Sequence, residues 1–482
     1  MRIQSRNIIA LFIVICSSTI WLVGSVFEDR LFIWLAVLGI QIAIGIYSCL
    51  KISYRCALLF FDITTFKFNT GSFIINAILK REISLWSINY SVDWSMEFKA
   101  NSIYLLALCF CWLGYHLVET KLIAEDYKEF VEIKLPSGNS MQKASLVVYY
   151  CSLIFFVISE IEKVLFVRSY SYLAYYNTFS GYLPGFIYRI ANLTFPAFCV
   201  YLATMPNKKS AKLPVLLYLI VNTMDLFSGQ RNGFVLAILF VLFYYIFRNS
   251  VCDGMEEEWF KKKYWIRLFV LVPIGISGLT AYGYWRNGLK SEYGFIDGII
   301  SFFGDDASGY LLIHLFHYMP SIPLQSYVFG PVIYFFTNNI VSKALGLSTS
   351  YAANSVDLAM KGNSFGSTIS YIVMPYSYKA GHGLGSNYLA EAFCDYSWFG
   401  VITISFLYGI ILATVIKKLK HNVGSNVFIT AGLLMILQAI WYAPRSEAMG
   451  WLTNSFLSFS TLLCFCLILL VKTIIVRRYT IR

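Results

Sequence analysis

Charge is what this sequence has least of: Asp, Glu, Lys and Arg together make up 13% of 482 residues, against 58% apolar types. So little polar surface cannot solvate a chain of this length, which excludes a water-soluble enzyme or binding module. Cysteine is present at 11 positions, but no pair has C-x-x-C spacing. Most of these thiols fall inside apolar runs, where they pack as small hydrophobes, so neither a disulfide framework nor a zinc site is indicated. There is no internal repeat, no low-complexity tract and no separate soluble domain. The net charge of +12 does not form the continuous stripe that tracks a phosphate backbone. Its Lys and Arg gather at the ends of apolar runs, as retained cytoplasmic charge does, and no nucleic-acid partner is expected.

What is present is a series of twelve apolar runs, the first of them long enough at about 1.5 Å per residue to cross a ~30 Å hydrocarbon layer. They cover 7–27, 31–50, 55–79, 101–118, 144–159, 186–205, 213–227, 234–247, 265–284, 398–416, 426–442 and 452–476. The first exceeds an ordinary signal-peptide core and no A-x-A site follows, so it is expected to stay as an uncleaved span. The third is interrupted by Asp62, Lys67, Asn69 and Gly71. Its ionisable groups are expected to face the bundle interior, unless the segment is re-entrant. Basic clusters alternate between loops in the way that places both termini in the cytoplasm.

The expected fold is therefore an all-α polytopic integral membrane protein with about twelve transmembrane helices. Residues 1–284 hold spans 1–9, residues 285–397 form one large extracytoplasmic loop with short helices, and residues 398–482 hold spans 10–12.

That alternation puts isolated cations at the outer ends of spans: Arg189, Arg231 in a Ser-Gly-Gln-Arg-Asn-Gly turn, Arg286, Lys379 and Arg445. Arginine suits phosphate oxygens, because its planar fork donates two parallel hydrogen bonds and stays charged. The flanking Gly229 and Gly233 let the Arg231 turn approach a ligand closely. The competing structural reading has these side chains snorkelling to headgroups or pairing with Asp225 and Glu447. His314 and His317 have H-x-x-H spacing, but with no third ligand they read as two histidines on an amphipathic loop helix. Asp305 and Asp306 read as a turn or helix cap. Tyr318, Tyr327, Tyr351, Tyr371, Tyr376 and Tyr378 exceed what an interfacial belt needs and suit a sugar-binding cleft, where flat faces with polar tips are useful. No cofactor is expected.

Three stretches together resemble the Wzy family of O-antigen and capsular repeat-unit polymerases. They are Asp225-Leu-Phe-Ser-Gly-Gln-Arg-Asn-Gly, the long outer loop, and Gly383-Leu-Gly-Ser-Asn-Tyr-Leu-Ala-Glu leading to Phe399-Gly400. The paired R-x10-G loops of some members are missing, so roles tied to them do not transfer. The resemblance implies a GT-C-like plan in the bacterial inner membrane. It also implies transfer of a growing glycan from undecaprenyl pyrophosphate onto a new lipid-linked repeat unit, without a nucleotide sugar or metal. The implied partners are undecaprenyl-pyrophosphate-linked oligosaccharides, the lipid bilayer and a chain-length regulator protein.

The residues suit that chemistry on their own terms, since a diphosphate leaving group needs fixed positive charge and a hydroxyl nucleophile needs a proton acceptor. Arg231, Arg286 and Arg445 are the candidates for the donor diphosphate, with Arg189, Lys379 and Asn387 as further substrate-binding residues. His382 or Glu391 is the candidate base; neutralising Lys379 is the alternative role for Glu391. A lipid-linked oligosaccharide flippase and an O-antigen ligase are the competing functions. A flippase is expected to spread polar residues over the midplanes of many helices, whereas here they concentrate in one outer loop.

Overall fold

A computed structural model describes residues 2–81, 90–126, 140–170, 174–175, 178–230, 232–251, 258–286, 294–304, 307–346, 348–421, 426–455 and 457–480. Every regular element in it is helical. Eleven helices are long and apolar enough to cross a membrane, so the chain is an all-α polytopic membrane protein. The eleven coincide with the expected runs except the third, which is helical but broken. Ile52–Thr65 and Gly71–Ile78 are α-helical, and Phe66–Thr70 between them is a π-helical turn. The interruption legible in the sequence is thus a local change of helix type, of a kind frequent at functional sites.

The chain forms two compact units. The first comprises Met1–Lys121, Lys262–Thr414 and Ile440–Trp451. In it, Trp94–Asp126 is held near one end by an ion pair to Arg30–Leu50 and near the other by an ion pair to Ile52–Thr65. Arg30 Nε meets Glu97 at 2.5 Å, and Trp34 Nε1 donates to the same carboxylate at 2.6 Å. Arg55 Nε meets Glu119 at 2.7 Å, its Nη1 donates to the Tyr47 carbonyl at 2.6 Å, and its Cζ lies 3.5 Å from the centre of the Tyr47 ring. Both charges of this second pair are almost fully enclosed. Such a pair is retained because removing either partner leaves an uncompensated charge.

Trp94–Asp126 also crosses Tyr388–His421 closely. A Cβ on Gly409 would stand 2.0 Å from the Cys111 carbonyl oxygen, so only glycine permits this approach. Asp62 is buried in the bundle, taking the interior-facing option. Lys67 Nζ lies 4.6 Å from the centre of the Phe302 ring.

The segment that follows the ninth expected run is folded. Leu311, Leu312, Ile313, Tyr327, Phe365 and Ile369 form its core. Ser355 and Ser364 cap Val356–Lys361 and Phe365–Val373 by accepting from Leu358 N and Ser367 N. Asp395 accepts from Tyr327 N (3.2 Å) and Val328 N (2.9 Å), fixing this core to the next helix. That helix breaks at Ser397, whose φ of 53° and ψ of −145° are unusual for a residue with a Cβ.

The second unit comprises Leu122–Lys261, Val415–Ala439 and Leu452–Arg482. Ser140–Ser169 packs against Gly185–Ala191, Thr194–Ala203 and Phe459–Thr480. Arg248 is buried, donating to the Pro206 carbonyl at 2.9 Å and lying 4.7 Å from the Trp259 ring centre.

Candidate functional site

One group of polar residues in the first unit converges where four local irregularities meet. These are the π turn Phe66–Thr70, the 3-10 turn Ala307–Tyr310, the start of Tyr388–His421, and the 3-10 turn Ala443–Arg445. Irregular backbone leaves amide and carbonyl groups to be satisfied by side chains, and at membrane depth none is left to water. One atom of the Asn69 side-chain amide lies 2.9 Å from both Asn387 Nδ2 and the Pro444 carbonyl oxygen, accepting from the first in one amide orientation and donating to the second in the other. Asn387 also caps its own helix, accepting from Leu389 N at 2.9 Å. Gly309 lies so close that a Cβ there would be 2.2 Å from the Asn69 carbonyl oxygen, and Tyr104 donates to the Gly309 carbonyl at 2.8 Å.

Arg445 sits at the rim of this node and is partly exposed. Its Nη1 donates to Ser308 Oγ, and its Cζ is 5.9 Å from the centre of the Phe68 ring. The turn that carries it is anchored on both sides. Trp441 Nε1 donates to the Ala57 carbonyl at 3.0 Å on one side. On the other, Ala448 donates its N–H to Glu391 Oε2 at 2.7 Å and accepts from Tyr408 Oη at 2.5 Å. Glu391 is completely buried, and its other oxygen accepts from Ser386 Oγ at 2.5 Å. Burial also pushes the neighbouring Glu447 carboxyl above its ordinary range. The arrangement holds one guanidinium at a fixed place on a backbone that cannot easily move, which is what recognition of an anion requires.

Of the residues singled out from the sequence, the structure therefore brings together Asn387, Glu391 and Arg445. His382 lies in the coil just before this helix and is partly exposed, its N–H donating to the Ser377 carbonyl at 2.9 Å. Lys379 is exposed at the end of Pro375–Lys379. Arg189 belongs to the second unit and is exposed near the end of Gly185–Ala191. Arg231, Asp305 and Asp306 lie outside the described residues, as does the side chain of Arg286.

One reading changes. Tyr327 and Tyr378 are buried, donating to the carbonyls of Pro323 (2.8 Å) and Ser355 (3.2 Å), so they belong to the core and not to a sugar cleft. Tyr376 stays exposed. His314 and His317 lie on the short loop helix expected of them, Leu311–Tyr318, and face a tyrosine: His317 stacks on Tyr90 with ring centres 3.6 Å apart, and Tyr90 Oη lies 3.2 Å from His314 Nδ1. Burial, with His317 adding to it, pushes His314 down to about 4. Among the described residues no three His, Cys, Asp or Glu side chains gather as metal ligands.

Sequence reasoning missed Ser308, Ser386 and the bracing role of Asn69, whose only signal was an amide inside an apolar run. In the second unit it also missed the pair of Lys163 Nζ with buried Glu160 at 2.5 Å, near Asp225.

The fold and this rim define a class: a polytopic membrane protein with a folded segment between its spans and a braced cation beside a broken helix. The chain belongs to the O-antigen polysaccharide polymerase Wzy family, whose profile matches residues 7–479. No curated protein and no solved structure matches it.

Proposed function

We propose that this protein is a glycosyltransferase that polymerises a surface polysaccharide at the outer face of the bacterial inner membrane. The family match over residues 7–479 carries this reading. The donor is a glycan on undecaprenyl pyrophosphate and the acceptor is the terminal sugar of a new lipid-linked repeat unit. An acceptor hydroxyl oxygen forms a bond to the donor's anomeric carbon, the bond from that carbon to the diphosphate oxygen breaks, and the hydroxyl proton passes to a base. The carrier leaves as undecaprenyl pyrophosphate, and charge builds on its diphosphate as the bond breaks.

Arg445 is the group assigned to that charge, because it is partly exposed, always protonated and held by Ser308. His382 is assigned as the base, being partly exposed and next to glycines that leave room for a sugar. Glu391 is a positioning residue in this scheme, since both of its oxygens are engaged with protein donors. Arg189, Arg231, Arg286, Lys379 and Asn387 remain assigned to substrate binding. The reading includes about twelve spans, counting the broken third helix, with both termini cytoplasmic. A chain-length regulator is the expected protein partner.

The test is the polysaccharide ladder of a deletion strain complemented with wild-type protein, Arg445→Ala, Arg445→Lys or His382→Ala. Loss of long chains with retention of one capped repeat, rescued by wild type and not by Arg445→Ala, is the expected result. Cytoplasm-facing accumulation of the lipid-linked repeat would assign a flippase instead. Loss of every capped species would assign a ligase. Long chains from an Arg445→Ala strain at normal expression would remove Arg445 from the site.

A further inference from the structure

The outer segment has an inverted polarity that the polymerase reading does not use. From residue 307 to residue 356 the chain contains no Asp, Glu or Arg, and Lys343 is its one lysine. A loop of that length bathed in water ordinarily carries charge of both signs. Here large apolar side chains stand open: Leu324 is fully exposed, and Tyr334, Phe336 and Leu345 are 58%, 61% and 66% exposed.

The polar side chains do the opposite and turn onto their own segment. Asn339 Oδ1 accepts from Ser342 N at 2.8 Å, and Asn339 Nδ2 lies 3.2 Å from the carbonyls of Phe335 and Phe336. Thr337 Oγ1 donates to the Ile333 carbonyl at 2.9 Å, and Ser348 Oγ donates to Asn338 Oδ1 at 3.3 Å. Polar groups satisfied internally beneath outward-facing aromatic and aliphatic side chains is the arrangement that hydrocarbon, not water, selects.

We infer that the helices Gly330–Thr337 and Ile340–Ala344 lie in the plane of the outer leaflet, with Tyr334, Phe336 and Leu345 in the boundary between headgroups and acyl chains. Lipid is the occupant this surface fits, for two reasons. The segment belongs to the same unit as several of the membrane-spanning helices, so bilayer is already adjacent. It also lacks the carboxylates that anionic headgroups would repel, while Lys343 is exposed and long enough to reach a phosphate. A segment that the sequence marks as one large extracytoplasmic loop with short helices is then an in-plane anchor, standing independently of which reaction the protein performs.

The experiment places the photoreactive p-benzoylphenylalanine, one position at a time, at Leu324, Tyr334, Phe336 and, as the solvated control, Lys361. Each full-length protein is reconstituted in nanodiscs of phosphatidylethanolamine and phosphatidylglycerol, irradiated, and analysed by intact mass and denaturing gel. The expected result is a mass increase of one phospholipid at positions 334 and 336, several-fold above the yield at position 361. Equal lipid yield at 336 and 361, or none at 334 and 336, overturns the inference. A covalent dimer from these positions overturns it in favour of a second copy as occupant. The substituted side chains all point away from the core, and Leu324 supplies a third, independent position should one variant fail to reconstitute.

Discussion

Replacing Glu391 in two ways separates a carboxylate that reacts from one that holds the site together. Its side chain is completely buried, with Ser386 Oγ on one oxygen and Ala448 N–H on the other. Glu391→Ala strands both donors in a region closed to water, and a buried donor left without a partner costs about 1–3 kcal/mol. Two such donors and the cavity left by the missing atoms come to about 2–5 kcal/mol in total. Ala448 lies three residues beyond Arg445, so the same substitution also frees the turn that carries the guanidinium. Glu391→Gln keeps the shape: its amide oxygen still accepts from Ala448 N–H, and the Ser386 hydroxyl can rotate to accept from the new NH2, so the cost is about 1 kcal/mol or less. The assay pairs thermal unfolding of the detergent-purified protein with the polysaccharide ladder of complemented cells. Glu391→Ala is expected to lower the melting midpoint and shorten the ladder together, and Glu391→Gln to leave both near wild type. A Glu391→Gln protein that melts like wild type and makes no polymer would refute the positioning role and make the carboxylate a chemical participant.

Three other outcomes follow from the same geometry. Gly309→Ala forces a methyl group within 2.2 Å of the Asn69 carbonyl oxygen and is expected to destabilise by about 1–3 kcal/mol; Gly45→Ala, which meets nothing, is its neutral or stabilising control in the same melting assay. Arg55→Leu or Glu119→Leu alone should each cost about 3–5 kcal/mol in chemical denaturation, and the double variant far less, because only the single changes leave a buried charge alone. The His314 imidazole sits at about 4 against an ordinary 6.5, so between those values the unfolded chain binds a proton that the folded chain refuses. Stability is then fully present above pH 6.5 and falls as the pH drops towards 4, by at most ~3 kcal/mol. A His314→Gln variant should flatten that stretch of the melting profile, and an unchanged slope would show that other groups cause it.

The spans were legible because apolar length is a local property of sequence, and even the trouble in the third was visible at Asp62, Lys67, Asn69 and Gly71. What those residues do there was not legible. Asn69 meets Asn387 across 318 positions of chain, and Arg445 meets Ser308 across 137; nothing in local composition announces such a pairing. Tyr327 and Tyr376 are the same residue type in the same segment, yet one is enclosed and the other is open. Aromatic content alone cannot separate a core from a binding face, because both use large flat rings with a polar tip. Glu391 shows the same limit: a carboxylate beside a glycine-rich turn has the sequence appearance of an accessible base, while its burial depends on Ala448 arriving from elsewhere in the chain.

The π turn at Phe66–Thr70 has a genetic corollary. A wide turn of this kind holds an additional residue relative to the ordinary helical repeat, so deleting a single codon within it would allow residues 52–78 to run on as an unbroken rod. Such a rod would insert into lipid at least as readily. The flanking turns would keep their register, because the wide turn absorbs its additional residue locally, but the widening that carries the Asn69 amide towards Asn387 and Pro444 would be lost. A one-residue deletion at that point is therefore expected to be opposed by the site and not by the membrane.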